Sequence, residues 1–394
     1  MKTLIFFDKK LLKPVGGPTG YLYNLEQELI KQKVNDIEFL DIKEKKIKTF
    51  FKMLPNNVQN YYRKFKKYKN RNKILKDILD EKDKKTNIEL DKYDMIHFHS
   101  AKSMYMVKDS LNNYKGKVIF TSHTPKVSYK EIIEDDTPKK EYLKFKDKYD
   151  RLKIIDEYAF NRADYIIFPV EEAEECYYNT WEKYKEIKEN NKDKYKYIPT
   201  GIMPIDIENN TMDIRKKYNI PENAFVVSYV GRHNEIKGYD KLKEIAEIVL
   251  KNNSNIYFLI AGKEEPIKGL ENERWIEIGW TNKPYEIINA SDLFILPNKE
   301  TYFDLVLLEV MAIGKPVLLT YTGGNKYYKK FDDSGLFYYD YSNVDEAANK
   351  IQVISKLNTK ELGEKNKKIF KENFTIEIFA KKYIKTLKEI YSNG

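Results

Sequence analysis

The chain has 394 residues, 41% of them hydrophobic, a formal net charge of +10 and a single cysteine, Cys176. This length predicts two domains rather than one core, and the apolar content excludes a globally disordered chain. One cysteine excludes a disulfide framework and favours a reducing compartment, where Cys176 is expected to be a packed or surface thiol. Because no apolar run approaches the roughly 18 residues that cross a bilayer, we expect a cytoplasmic protein, at most peripheral to a membrane.

The first predicted strand, residues 3–7, is followed closely by a glycine-containing loop at 14–20. Apolar residues then recur at helical spacing over 21–29. Strand, Gly-rich loop and helix is the order that lets backbone amides approach a phosphate or a sugar. Gly16 and Gly17 are therefore candidate ligand-binding residues. Their spacing is neither G-x-G-x-x-G nor that of a P-loop, and a purely structural turn is equally compatible with it.

The positive charge is concentrated in residues 43–73, which contain twelve Lys or Arg residues and one acid, Glu44. Aromatic side chains such as Phe50 and Tyr61 are interleaved with the cations. This combination is attracted to an anionic membrane surface. It also suits single-stranded nucleic acid, whose bases stack on aromatic rings, and a solvated helical hairpin is the third interpretation.

Four further apolar segments are predicted strands: residues 93–99, 117–121, 163–170 and 197–200. They alternate with helical stretches, which predicts a parallel sheet with helices on both faces and ligands beyond the C-terminal ends of the strands. Three of the four histidines, His97, His99 and His123, lie in or just after these strands. Most histidines are structural, but His123 follows a strand end directly and is the candidate binding residue. Nothing here has metal-ligand spacing, so no metal is expected.

The strand-helix pattern starts again after residue 205, with predicted strands at 225–230, 256–261, 275–278, 293–296, 317–319 and 335–339. We therefore expect a first domain at 1–204 and a second at 205–374, both of the α/β class. A C-terminal helix, 375–394, is expected to pack back on the first domain.

Two cations, Arg232 and Lys237, follow the first strand of the second domain and have Gly231 and Gly238 beside them. Cations at a strand end, facing a helix N-terminus at Leu305, would neutralise a diphosphate. Solvated surface charge is the commonest fate of Lys and Arg. The position at a strand end beside glycines favours the binding interpretation.

Residues 297–319 predict a loop, a helix, a tight Gly stop and a strand. Residues 305–313 are apolar on all sides except for Glu309, which indicates a buried helix. A lone carboxylate there is costly unless something pairs with it. Glu309 is thus a candidate for holding ligand hydroxyls, and a position at the helix edge beside a lysine is the equally weighted alternative.

Three motifs resemble those of a retaining GT-B glycosyltransferase of the GT4 class, the glycosyl transferases group 1. They are the Gly16-Gly17 loop, Gly-Arg-x4-Lys-Gly at 231–238, and Leu-Leu-Glu-x-Met-Ala-x-Gly-x-Pro-Val at 307–317. The last two are specific in combination. The resemblance implies two Rossmann-like, doubly wound parallel-sheet domains facing a cleft, with the donor mainly on the second domain and the acceptor on the first.

The resemblance also implies roles. Arg232 and Lys237 would hold the donor diphosphate and stabilise charge on the leaving nucleotide. Glu309 would bind the ribose hydroxyls, the first glutamate of the family motif would contact the donor sugar, and His123 would lie near that sugar. No metal is needed in the family, and no cofactor is expected here.

The expected donor-binding residues are Gly16, Gly17, Gly231, Trp280, Thr301, Phe303, Asp304, Leu305, Val306 and Glu309. For Trp280, stacking on the base and simple packing are both open.

The chain departs from the family pattern before the helix. The family separates its two glutamates by seven residues, and counting back from Glu309 in that way gives Thr301, whereas Glu300 is separated by eight. Either a one-residue bulge restores Glu300, or Thr301 takes the sugar contact. Asp304 stands where a glycine is usual; as an N-cap it would satisfy the amide of Val306 or Leu307, and it would bring negative charge close to the phosphate.

The sequence therefore predicts a retaining, metal-independent glycosyltransferase with a nucleotide-sugar donor, preferably UDP-linked. The expected acceptor is a cell-envelope glycan or a lipid-linked or protein-linked group, reached at an anionic membrane surface through residues 43–73. A non-catalytic GT-B subunit that binds a partner glycosyltransferase is the main alternative, motivated by Glu300 and Asp304. A UDP-sugar 2-epimerase ranks lower, and no nucleic-acid partner is expected.

Overall fold

The computed structural model describes residues 1–7, 12, 17–40, 89–135, 137–207 and 211–393, together with 65–66, 68–69, 72–73 and 75–76. Gly16 and most of the basic segment 43–73 lie outside the described residues. Within the described ranges, none of the helices combines the length and the hydropathy needed to cross a bilayer.

The described residues form twelve strands. They are β1 (Thr3–Phe6), β2 (Ile37–Phe39), β3 (Met95–Phe98), β4 (Lys117–Phe120), β5 (Tyr165–Phe168), β6 (Tyr195–Tyr197), β7 (Phe225–Val230), β8 (Ile256–Ala261), β9 (Trp275–Gly279), β10 (Leu293–Leu296), β11 (Val317–Thr320) and β12 (Leu336–Tyr339).

Helices connect these strands. The α-helices are Gly17–Lys31, Ala101–Tyr105, Lys108–Asn112, Ser128–Lys130, Lys139–Lys144, Lys146–Asp150, Lys153–Arg162, Glu175–Thr180, Tyr184–Asn190, Thr211–Lys217, Tyr239–Asn252, Pro284–Asn289, Leu305–Ile313, Val344–Ile354, Thr359–Asn373 and Ile376–Ser392. Short 3₁₀ helices occupy Leu90–Lys92, Glu171–Glu174, Lys192–Lys194, Glu235–Lys237 and Gly323–Lys330, and a π-helical turn occupies Glu131–Asp135.

The strands form two six-stranded sheets, in the orders β2-β1-β3-β4-β5-β6 and β12-β11-β10-β7-β8-β9. Neighbouring strands are parallel throughout both sheets. In each sheet the chain order reverses beside the first strand, between β1 and β3 and between β7 and β10, which is where open α/β sheets bind ligands. The predicted fold class of two doubly wound α/β sheets is confirmed.

The described chain divides into two compact units. The first unit comprises Met1–Phe168, Tyr177–Tyr197 and Tyr383–Gly394, and the second comprises Pro169–Cys176 and Ile198–Lys382. The helix Ile376–Ser392 therefore contributes residues to both units. The predicted domain limits at 204 and 374 stay predictions.

The helix Tyr239–Asn252 illustrates how the second sheet is covered. Its buried residues include Leu242 and Ile245, which lie on one face of the helix. They belong to one apolar cluster with Val227 of β7 and Phe258 of β8. Burial stabilises the fold by roughly 1.5–3 kcal/mol for each such side chain, so the loops that follow these strands are attached to a rigid support.

Candidate functional site

The loops at the C-terminal ends of β7, β8 and β9 are joined by backbone hydrogen bonds. The Gly231 amide donates to the Ala261 carbonyl at 3.0 Å, and the Gly262 amide donates to the Gly279 carbonyl at 2.9 Å. Trp280, which follows Gly279, is 76% exposed. The structure therefore disfavours the interpretation that Trp280 is a packing residue.

The turn that carries Lys237 is fixed at both of its ends. Asn234 precedes the 3₁₀ helix Glu235–Lys237, and its side-chain oxygen accepts from the Lys237 amide at 3.0 Å. Gly238 ends the turn with a φ of +65°, and a Cβ built on it would lie 1.6 Å from the Pro297 carbonyl oxygen. Only glycine permits both this backbone conformation and this approach. The turn is consequently held against the segment that follows β10.

Lys237 forms an ion pair with Asp304, the residue before the helix Leu305–Ile313. Asn298, which is fully buried, also donates from Nδ2 to an Asp304 carboxylate oxygen at 2.7 Å. Burial opposes ionisation of Asp304, but Lys237 and the Asn298 hydrogen bond outweigh it and lower the pKa of this carboxyl. Asp304 therefore carries a negative charge at neutral pH.

The carboxylate of Asp304 interacts with Lys237, with Asn298 and with the start of the helix. The residue occupies the N-cap position, where its side chain makes no capping hydrogen bond of ordinary geometry. The backbone amide of Val306 nevertheless helps to lower the pKa of this carboxyl, as a smaller contribution than those of Lys237 and Asn298. The Leu307 amide donates to the backbone carbonyl of Asp304 at 3.1 Å.

Arg232 directly follows Gly231, and its side chain is exposed. The Tyr229 hydroxyl donates to the Arg232 carbonyl at 2.7 Å, which fixes the backbone of this residue. The guanidinium makes no ion pair with any other described residue. Two cations, Arg232 and Lys237, are therefore carried on one anchored loop after β7.

Glu309 lies in the middle of the apolar helix, as the sequence indicates. It is partly buried, and its carboxylate accepts from the Tyr285 hydroxyl at 3.2 Å. Burial, together with the nearby charge of Asp304, raises the pKa of Glu309 to about 7, although the Tyr285 hydrogen bond opposes the shift. Its partner is a hydroxyl rather than the lysine of the alternative interpretation. A carboxylate that already accepts from a hydroxyl is chemically suited to accept from a sugar hydroxyl.

Glu300 and Thr301, the two candidates for the sugar contact, differ in exposure. Thr301 is only 3% exposed, and its carbonyl accepts from the Cys176 thiol at 2.9 Å and from the Gly324 amide at 3.2 Å. Glu300 is partly exposed. Burial and the adjacent carboxylates of Glu300 and Glu175 raise the pKa of the Cys176 thiol, so it stays protonated as a packed residue. The buried Phe303 stacks on another aromatic ring of the same unit.

In the first unit, His123 is one of three connected histidines. Its Nε2 lies 2.8 Å from Nδ1 of His99. His97 contacts the Tyr383 hydroxyl at 2.6 Å and the Thr121 hydroxyl at 2.8 Å. Burial, followed by neighbouring imidazoles, lowers the pKa of His97 to about 3 and that of His99 well below its ordinary value. His97 and His99 are thus neutral structural residues, whereas His123 is partly exposed.

The second unit contains Arg232, Lys237 and Glu309, with Gly231, Trp280 and the whole of 300–306. Gly17 and His123 belong to the first unit, where Gly17 is the exposed first residue of the helix Gly17–Lys31. Among the described residues, no cluster of three or more His, Cys, Asp or Glu side chains is arranged to hold a metal ion. The expectation of a metal-independent reaction stays a prediction.

Sequence reasoning missed Asn298, Tyr285 and His99 as partners of the candidate residues. Asn298 directly follows Pro297, the first residue after β10, and this position near a strand end was an available signal. Tyr285 contacts Glu309 across 24 positions of the chain, and His99 is equally far in sequence from His123. No local pattern reveals contacts of this kind, which depend on tertiary packing.

Residues 210–373 match the family model of the glycosyl transferases group 1. An Escherichia coli UDP-Gal:alpha-D-GlcNAc-diphosphoundecaprenol alpha-1,3-galactosyltransferase is 28% identical over 173 residues, which cover 40% of this chain and 44% of that protein. The O-antigen biosynthesis glycosyltransferase WclY of Escherichia coli is 25% identical over 209 residues, covering 51% of this chain and 56% of WclY. The chain thus spans about half the length of the curated relatives it matches.

Solved structures resemble the whole chain. A sucrose-phosphate synthase from Thermosynechococcus elongatus superposes with a TM-score of 0.64 at 18% identity, covering 100% of this chain and 99% of that chain. Anabaena Alr3699/HepE in complex with UDP-glucose gives a TM-score of 0.62 at 15% identity, with coverage of 99% and 100%. At such identities the likeness shows the fold alone, which is the two-domain α/β architecture known as GT-B.

Replacing Gly238 by alanine should destabilise the protein by at least about 2 kcal/mol. The new Cβ would clash with the Pro297 carbonyl, and the alanine would have to adopt the positive φ of this position. Gly279→Ala is the matched control, because Gly279 has a φ of +76° and open space around its Cβ position. It should cost only about 1 kcal/mol. Urea unfolding of both variants measures the difference, and equal losses would contradict the close approach.

Glu309→Gln should become more stable relative to the wild type as pH rises. The pKa of Glu309 in the fold, about 7, exceeds its ordinary value of 4.5. The stability gained from burying the neutral carboxyl is therefore fully present below pH 4.5 and is lost as pH rises through 7. Between pH 5 and pH 8 the stability difference should shift by about 2 kcal/mol in favour of glutamine.

Unfolding of the two proteins in urea at both pH values measures this shift. Glu286→Gln, which removes an exposed carboxylate paired with Lys283, is the control for a general charge effect. The stability difference between Glu309→Gln and wild type could instead be the same at both pH values. That result would contradict the raised pKa, because Glu309 would then titrate like a solvated side chain.

Proposed function

We propose that this chain, whose residues 210–373 match the family model of the glycosyl transferases group 1, is a retaining, metal-independent glycosyltransferase of the GT4 class that uses a UDP-linked sugar. The observation that carries this proposal is the placement of Lys237 against the N-terminus of the helix Leu305–Ile313, with Arg232 on the same loop. Two cations and a helix N-terminus at a strand end form an anion-binding arrangement.

The donor diphosphate would lie between the loop after β7 and the start of this helix. Arg232 is exposed and can bind a phosphate in bidentate fashion, while Lys237 supplies a second positive charge. Gly231 would allow the backbone to approach the phosphates. The amide of Leu305 begins the helix and would donate to the same oxygens. The amide of Val306 would be shared with the carboxylate of Asp304.

The nucleoside would be held through its ribose and its base. The ribose hydroxyls would donate to Glu309, beside the Tyr285 hydroxyl that already does so. Binding of two hydroxyls favours the ionised carboxylate and would lower the pKa of Glu309 from about 7. The exposed ring of Trp280 would stack on the base.

The donor sugar would contact Glu300 rather than Thr301. Thr301 is almost completely buried, and its carbonyl already accepts a hydrogen bond from the Cys176 thiol. Glu300, in contrast, is partly exposed. Phe303 would act by packing, as a buried support for the segment that carries Glu300. These differences favour Glu300 over Thr301 as the residue that contacts the sugar.

In line with the family resemblance, Gly16, Gly17 and His123 are proposed as substrate-binding residues of the first unit. His99 supports this role because its contact at 2.8 Å orients the His123 ring. His123 is partly exposed, while His97 and His99 are buried. Among the three histidines, His123 is therefore the one suited to contact a substrate.

In the reaction, the bond between the anomeric carbon and the diphosphate oxygen breaks, and the oxygen of the acceptor hydroxyl forms the new bond on the same face of the sugar. The proton of that hydroxyl would pass to the departing diphosphate. The negative charge that develops on the leaving nucleotide would be stabilised by Arg232 and Lys237. Preorganised charges of this kind usually supply the largest part of catalysis. They would take the place of a metal ion.

The acceptor is proposed to be a cell-envelope glycan, presented on a lipid or on a protein. Two relatives support this class: one is named for a diphosphoundecaprenol-linked GlcNAc and the other for O-antigen biosynthesis. Residues 43–73, rich in cations and aromatic rings, would hold the enzyme at the anionic inner face of the membrane.

A non-catalytic subunit is the second candidate function. The ion pair between Lys237 and Asp304 favours it, because the pair compensates one of the two cations expected to bind the donor. Such a chain would bind a partner glycosyltransferase and would transfer no sugar itself.

Calorimetric titration of the purified chain with UDP and GDP, each with and without Mg²⁺, tests the proposal. We expect micromolar binding of one nucleotide, unaffected by the metal and weakened at least tenfold in Lys237→Ala, because a close charge contact is lost. Lys251→Ala is the control. Lys251 is exposed near the end of the helix Tyr239–Asn252, and the chain just after this helix lies at the N-terminal end of β7, where the Phe225 amide donates to the Asn255 carbonyl at 2.9 Å.

Absence of binding for both nucleotides would contradict the proposed donor site and favour the non-catalytic subunit. Metal-dependent binding would contradict metal independence. Equal affinity in wild type and Lys237→Ala would remove Lys237 from the diphosphate site.

A further inference from the structure

Asp304 is an anion at the place where the proposed function puts an anionic ligand. Its side chain is 12% exposed, and it is paired with Lys237, whose side chain is 24% exposed. Lys237 and Asp304 therefore lie in a partly desolvated environment, where charges act on one another more strongly than they do in water.

The carboxylate is held in position by groups that do not depend on any ligand. Asn298, which donates to Asp304 at 2.7 Å, is fully buried. The carbonyl of Asn298 accepts from the Thr320 hydroxyl at 2.7 Å, and the Lys299 amide donates to the Ile236 carbonyl at 3.0 Å. The segment that carries Asn298 is thus hydrogen-bonded to β11 on one side and to the turn that carries Lys237 on the other.

The ion pair between Lys237 and Asp304 determines the local charge that a bound diphosphate would experience. An ammonium has three donors, so Lys237 can contact a carboxylate and a phosphate at once. Its charge, however, is already compensated by Asp304, and a phosphate bound to the same ammonium would lie close to that carboxylate. Two anions that share one cation repel each other.

We propose that Asp304 is an internal counter-anion of Lys237 that weakens the binding of a nucleoside diphosphate and so promotes release of the nucleotide product. This inference rests on the proposed function, since it concerns the same diphosphate site. Asp304 then acts as a determinant of nucleotide affinity and not as a ligand of the phosphate.

The opposite role is physically conceivable and makes the opposite prediction. If Asp304 served only to orient Lys237, its removal would leave the ammonium misplaced and would weaken diphosphate binding. A merely structural role would alter the affinity for nucleosides and nucleotides alike. Affinities for ligands that differ only in the number of phosphates separate these possibilities.

The test is calorimetric titration of wild type, Asp304→Asn and Asp304→Ser with uridine, UMP and UDP, and with the guanosine series in parallel. Both replacements are good N-cap residues, so the helix should still form. Asp333→Asn is the control for net charge, because Asp333 is 81% exposed. It lies just before the N-terminal end of β12, whereas the site lies at the C-terminal ends of the strands.

We expect Asp304→Asn to bind UDP or GDP about tenfold more tightly than wild type, with little change for the nucleoside, since only the phosphates meet the removed charge. Asp333→Asn should match the wild type. Unchanged or weaker diphosphate binding in both Asp304 variants, with binding by the wild type intact, would overturn the inference and leave the proposed function standing. Absence of binding in the wild type and in every variant would instead overturn the proposed function.

Discussion

The contact between Gly238 and the Pro297 carbonyl is the constraint on which the candidate site depends. It joins the loop after β7 to the segment after β10, the two strands between which the chain order of the second sheet reverses. Because of this contact, Lys237 lies beside Asp304 at the start of the following helix. A cation, an anion and a helix N-terminus thereby meet at one strand end, and their placement is set by backbone packing.

The charges of the site are close to balance, which distinguishes this chain from a simple anion-binding loop. Arg232 and Lys237 are offset by Asp304 and by the carboxyl of Glu309, whose pKa of about 7 allows it to change charge when a ligand binds. The proposed donor diphosphate would be bound at such a site through geometry and local contacts more than through net charge. It is suited to an enzyme that must release a charged nucleotide in each cycle.

The sequence predicted the two parallel sheets, because buried parallel strands are short apolar runs that need no tertiary information to be recognised. It also predicted the loop that carries Arg232 and Lys237, since glycines beside a strand end are visible locally. It did not predict that the carboxylate of Asp304 would bond to Lys237 and Asn298. That choice depends on which donors the fold brings close, and the 67 positions between Lys237 and Asp304 hide it from any local pattern.

The most direct measurement is a structure of the protein with an intact UDP-sugar bound. The account predicts diphosphate oxygens within hydrogen-bonding distance, about 3 Å, of both Arg232 and Lys237. It further predicts ribose hydroxyls on Glu309 and a phosphate that approaches the start of the helix Leu305–Ile313. A nucleotide bound away from the loop after β7, or a diphosphate that contacts neither cation, would contradict the central claim that these residues form the donor site.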